Sequence, residues 1–113
     1  ADFWKDEVPV VDFLSLKDLN DNYEKYTGKL ILKTLQRKKL NAYTCPGVIV
    51  AGHGPFTWGS QYTSSVINAE VLEFVAKTTY LSTVIKIKKK LPKYISNKHY
   101  LRKHGKNAYY GQT

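Results

Sequence analysis

The chain contains no methionine, a single cysteine and, after Glu73, no acidic residue at all. One thiol, Cys45, cannot close an intrachain disulfide, which points to a reducing, cytoplasmic setting. No apolar run approaches the roughly 18 residues of a membrane span. The acidic, aromatic opening Ala1-Asp2-Phe3 is unlike a secretory signal. Lacking an initiator, the 113 residues are expected to be either processed or a piece of something longer. There are no internal repeats and no low-complexity segments.

What is present is ordinary for a globular domain. A hydrophobic fraction of 42% and a charged fraction of 24% exclude wholesale disorder. A chain of this mass buries about two-thirds of its surface when folded, enough for one core and not two. The charge is less ordinary. Eighteen Lys and Arg face nine carboxylates, for a net +9. Seven of those carboxylates lie within residues 1–26, whereas ten Lys and Arg follow Glu73. Such asymmetry suits either a nucleic-acid face or a site for a small anion.

Val8-Pro9-Val10-Val11 reads as a short strand, with Pro9 favouring an edge. Ser15 or Asp18 can open a helix in which Leu16, Leu19 and Tyr23 recur at helical spacing. Thr27 is a candidate N-cap for a second helix, with Leu30, Ile31, Thr34 and Leu35 on one face and Arg37-Lys38-Lys39 at its negative end. Pro46–Ala51 reads as a buried strand running into Gly52-His53-Gly54-Pro55, which is expected to leave regular structure. A long helix is predicted from about Ser60 or Thr63, running on toward Val84 and Ile87, with a Glu73–Lys77 pair on its exposed side. Pro92 suits the first turn of a last helix that Gly105 closes, and residues 106–113 form a polar, aromatic tail. Strands alternating with helices indicate an α/β layered domain. Two visible strands are too few for an independent sheet.

Two stretches carry candidate chemistry. In Gly52-His53-Gly54 the imidazole has little steric cover, so it is open to a ligand or a metal; its ordinary role is that of a turn histidine bonded to backbone. Zinc takes three or four protein ligands, and the other candidates are Cys45, His99 and His104. His99 and His104 stand five apart, about 140° around a helix, and are not a chelating pair. The residues alone therefore support no metal site. The second stretch is Lys98–Gly105 with Tyr109 and Tyr110 beyond it. It reads as a solvated basic helix with a frayed end, or as an anion-binding helix with a tyrosine tail that closes over a site. Basic residues interleaved with Tyr94, Tyr100, Tyr109 and Tyr110 also suit RNA or single-stranded DNA. Composition by itself ranks nucleic acid slightly ahead of an enzyme, although no recognition motif accompanies it.

The motifs themselves discriminate further. Pro46-Gly47-Val48 through Gly52-His53-Gly54-Pro55-Phe56-Thr57-Trp58-Gly59, Asn68-Ala69, Val71-Leu72-Glu73, Lys98-His99-Tyr100-Leu101-Arg102-Lys103-His104-Gly105 and Ala108-Tyr109-Tyr110-Gly111-Gln112 resemble the class II aldolase/adducin family. The Lys98–Gly105 string is specific to its sugar-phosphate 4-epimerase branch, whereas the histidine loop is shared more widely. The resemblance covers all 113 residues, with 12–45 more divergent. It implies an α/β layered domain, a central mainly antiparallel sheet flanked by helices, of which residues 1–113 are a single incomplete domain, the C-terminal half. It also implies zinc held by histidines, His53 matching one ligand. The implied reaction inverts C4 of L-ribulose 5-phosphate, giving D-xylulose 5-phosphate. A retro-aldol step breaks C3–C4 to an enediolate of dihydroxyacetone and glycolaldehyde phosphate, and re-addition follows on the other aldehyde face. Asp2 and Tyr110 match the two acid–base residues, His99 and Arg102 match basic residues near the site, and Glu24 matches a further acidic position. A cytoplasmic homotetramer is implied, with the tail 106–113 docking on a neighbouring subunit and no membrane partner. Two departures stand out. Ala51 replaces a histidine of close relatives, and the half of the family carrying a His-x-His pair and the phosphate-gripping loops has no counterpart here. Three rival readings are a class II aldolase acting on another sugar phosphate, a non-catalytic adducin-like relative and, more remotely, a small basic nucleic-acid-binding protein.

Overall fold

A computed structural model describes residues 2–86 and 89–109. Among these residues three strands and four helices follow one another as β1 (Val10–Val11), α1 (Leu16–Asp21), α2 (Tyr23–Arg37), β2 (Gly47–Val50), β3 (Gly54–Thr57), α3 (Tyr62–Val84) and α4 (Lys93–His104). The sheet runs β1-β2-β3. The longer pairing, β2 with β3, is antiparallel, and the short β1 lies parallel to β2 with Val11 opposite Val50. Pro9 immediately precedes β1, an edge strand where a missing N–H is tolerated, and its carbonyl accepts the Ile49 N–H at 3.0 Å.

Local chemistry sets the helix ends. Ser15 caps α1, its hydroxyl accepting the Asp18 N–H at 3.2 Å. Asn22, rather than Thr27, caps α2, accepting the Lys25 N–H at 3.1 Å. Thr27 sits inside that helix, buried, with its hydroxyl donating to the Tyr23 carbonyl at 2.7 Å. The expected inner face is otherwise present: Ile31, Thr34 and Leu35 are buried against the sheet. Gln61 precedes α3, which ends at Val84; Ile87 lies outside the described residues. Pro92 takes the N-cap position of α4 and not its first turn, and Gly105 closes the helix by donating to the Leu101 carbonyl at 2.8 Å. The ion pair among the described residues joins Lys90 to Glu7, at 2.8 Å, in place of the expected Glu73–Lys77.

The glycine–histidine segment turns the chain back on itself and does not end the regular structure. Gly52 at φ +74° and Gly54 at φ +136° supply conformations that side chains resist, and the His53 N–H closes the turn on the Val50 carbonyl at 3.0 Å. The third strand follows at once.

The core comprises Trp4, Val11, Ile31, Leu35, Cys45, Val48, Val50 and Leu72. Trp4 Nε1–H donates to the Gly47 carbonyl at 2.9 Å, fastening the N-terminal segment to β2. Helix α3 lies on the strands through Leu72 and Asn68, whose amide donates to the Trp58 carbonyl at 2.7 Å. The far side of α3 is uncovered: Val66, Phe74, Leu81 and Val84 are exposed. The accessible surface totals 8869 Å², against roughly 6,300 Å² for a self-contained monomer of this mass. Among the described residues no helix is long and apolar enough to cross a membrane.

Candidate functional site

The β2–β3 turn holds His53 in solvent. Its imidazole centroid lies 4.8 Å from that of Phe56 on β3 and 5.8 Å from that of Tyr23 at the start of α2. Among the described residues neither ring nitrogen takes a hydrogen bond. The α2 terminus that brings Tyr23 here also carries Glu24, which is exposed. Linear spacing gives no hint of Tyr23, since the ring contact spans the whole of α2 and the loop behind it.

Asp2 stands elsewhere. It is half-buried on the wall of a cleft of about 1130 Å³ between residues 2–8 and the C-terminal part of α3, and His99 of α4 lines the same cleft. Asp2 Oδ1 is buried with no hydrogen-bond partner among the described residues. The Asp2 carbonyl accepts from His104 Nε2 at 2.7 Å. Lys103 packs its ammonium 3.4 Å from the centre of the Phe3 ring, and burial pushes that ammonium down from its ordinary value while the Asp2 charge works against the shift. Arg102 lies over the Tyr109 ring at 5.9 Å. Burial pushes the phenol of Tyr100 up, and its ring stacks on His104 at 4.4 Å.

The structure thus brings Asp2 and His99 to one cleft, sets Arg102 over the Tyr109 ring, and places His53 against Tyr23, the sequence neighbour of the exposed Glu24. His53 does not line the Asp2 cleft. Tyr110 lies outside the described residues. Cys45 is no ligand candidate. It is buried, its thiol donates to the Gly47 carbonyl at 3.3 Å, and burial raises its pKa. Among the described residues no three His, Cys, Asp or Glu side chains converge on a metal position. One open imidazole fits a single ligand position; it does not make a complete metal site.

The three-stranded α/β layer thus carries a glycine-flanked histidine at a strand turn and a carboxylate beside a basic helix. Residues 1–80 match the Class II Aldolase and Adducin N-terminal domain, and the chain belongs to that family. Within it, the chain is 40% identical over 113 residues to L-ribulose-5-phosphate 4-epimerase UlaF of Salmonella paratyphi C and equally to that of Salmonella choleraesuis. The counterpart from Salmonella paratyphi B is 39% identical. Each alignment takes in 99% of this chain and 49% of the relative, so the chain spans about half the length of the curated relatives it matches.

Proposed function

We propose that these residues serve a sugar-phosphate epimerase that inverts C4 of L-ribulose 5-phosphate to D-xylulose 5-phosphate. The observation that carries this reading is the 40% identity, sustained over 113 residues, to relatives bearing that name. In this reading Asp2 and Tyr110 handle protons on the two faces of an aldehyde. One takes the C4 hydroxyl proton as the C3–C4 bonding pair withdraws onto C3, leaving an enediolate and glycolaldehyde phosphate. The aldehyde turns, C3 attacks its other face, and the second group returns a proton to the C4 oxygen. A single acid–base residue reaches one face only, which is why two are required.

The half-buried setting of Asp2, shared with His99, supports its assignment. A phenol near pKa 10 needs cationic neighbours to act as a base, and His99 and Arg102 are the residues assigned to supply that field. Glu24 is assigned a further acidic position, one residue from the Tyr23 that stacks on His53. Zinc, when bound, supplies Lewis-acid stabilisation of the developing negative charge. His53 is the ligand this chain offers, with the remaining donors assigned to the half of the relatives that it does not span. The assembly we propose is a cytoplasmic homotetramer in which the tail 106–113 docks on a neighbouring subunit.

The test is product analysis with L-ribulose 5-phosphate and the complete protein. Reversible formation of D-xylulose 5-phosphate is expected. Release of free dihydroxyacetone and glycolaldehyde phosphate without inversion reassigns the protein as an aldolase, and absence of turnover with metal present refutes the reading.

A further inference from the structure

We propose that Tyr23 is a positioning residue for His53, acting with Phe56 as an aromatic clip that aims the imidazole. The proposal rests on the reading of His53 as a metal ligand and adds to it a residue that neither the family's motif strings nor their spacing reveal.

The backbone gives His53 little guidance. Gly52 and Gly54 on either side carry no Cβ and sit at positive φ, so the loop restricts the side chain less than a strand or helix would. The one main-chain tie is the His53 N–H to Val50 carbonyl bond at 3.0 Å, which fixes the Cα and leaves χ1 and χ2 free. Hydrogen bonds do not orient the ring either, since neither nitrogen is engaged among the described residues. What does touch it is aromatic. Phe56 lies 4.8 Å away at an interplanar angle of 36°, and Tyr23 lies 5.8 Å away at 24°. Both separations fall in the range where ring pairs attract.

The two rings come from different elements, and that makes them effective. Phe56 is in β3, three residues along the same hairpin, and moves with the turn. Tyr23 is in the first turn of α2, a helix anchored to the core by Ile31 and Leu35 and capped by Asn22. It therefore references the imidazole to the body of the domain. A metal-binding histidine is usually held by a carboxylate or carbonyl hydrogen-bonded to its free nitrogen. Here the ring faces are held instead, and both nitrogens stay available.

Proton NMR of the complete protein tests this, His53 being assigned by the resonances lost in His53→Ala. Ring currents from the flanking rings displace the His53 carbon-bound protons from free-imidazole positions. Tyr23→Phe, which keeps the ring, is expected to preserve the displacement. Tyr23→Leu, which keeps bulk without a ring, is expected to reduce it, with circular dichroism unchanged. Zinc titration of the same variants is expected to show binding weakened roughly three- to tenfold by Tyr23→Leu, the worth of one aromatic contact, and near wild type for Tyr23→Phe. Unmoved His53 resonances in Tyr23→Leu overturn the proposal. Zinc affinity unchanged in His53→Ala overturns it through the reading beneath, and the NMR result tells the two failures apart.

Discussion

The Nε2–H of His104, near the end of the chain, donates to the main-chain carbonyl of Asp2 over 2.7 Å. It is among the contacts that lay α4 along the N-terminal segment. Ser96 donates its hydroxyl to the Lys5 carbonyl at 3.1 Å, and Lys103 covers the Phe3 ring. The helix and the segment run in opposite directions, so the carboxylate at residue 2 is set by the last turn of α4. His104→Ala is expected to cost about 1 kcal/mol, the net worth of a typical hydrogen bond. Hydrogen exchange at residues 2–5 should quicken while that of Ile49 and Val50 stays slow. Equal acceleration in β2 would show that the contact supports the whole domain.

Gly47 is packed on two sides. A Cβ there would stand 2.7 Å from the Phe56 carbonyl oxygen, 2.9 Å from Thr57 Cγ2 and 3.1 Å from the Trp4 ring. Backbone cannot yield as a flexible side chain does, so Gly47→Ala is expected to destabilise by about 1–3 kcal/mol. Chemical denaturation measures this, and Trp4 fluorescence should report the displaced indole.

Cys45 links stability to alkaline pH. Burial raises its thiol pKa above that of the unfolded chain, so the fold favours the neutral form. The resulting contribution is complete below the unfolded thiol value and is lost as pH rises through the folded one. Stability is therefore expected to fall above about pH 9, and Cys45→Ala should flatten that limb in urea melts. Native protein should react with iodoacetamide far more slowly than denatured protein.

On the proposed reading, His53→Ala in the complete protein is expected to remove zinc and nearly all turnover. Tyr110→Phe should depress epimerisation by two orders of magnitude or more, on the order of a lost general acid–base group, with metal content intact. Metal analysis beside initial rates separates the two roles. Loss of zinc in Tyr110→Phe would assign that tyrosine to structure.

Much of this architecture is legible residue by residue. Ser15 announces α1, Gly105 closes α4, and the 31, 34, 35 spacing marks the buried face of α2. Thr27 misled because a threonine hydroxyl inside a helix can return to its own backbone, as it does to Tyr23, and so needs no cap position. Gly52 and Gly54 signalled an interruption, yet positive φ at both is what a tight reversal between paired strands requires; β3 was hidden by its own turn. The site was legible in part. Asp2 and His99, 97 positions apart, share a cleft. Tyr23 escaped because its contact with His53 depends on how α2 lies against the sheet, which no local pattern encodes.

The open side of α3 has a cellular corollary. Val66, Phe74, Leu81 and Val84 present hydrocarbon to water along a 23-residue helix. Patches of that kind drive association wherever they stay bare. Inside a cell, exposed hydrocarbon of this kind is also the surface that chaperones and proteases engage. How soon those side chains are covered therefore bears on how long the chain persists.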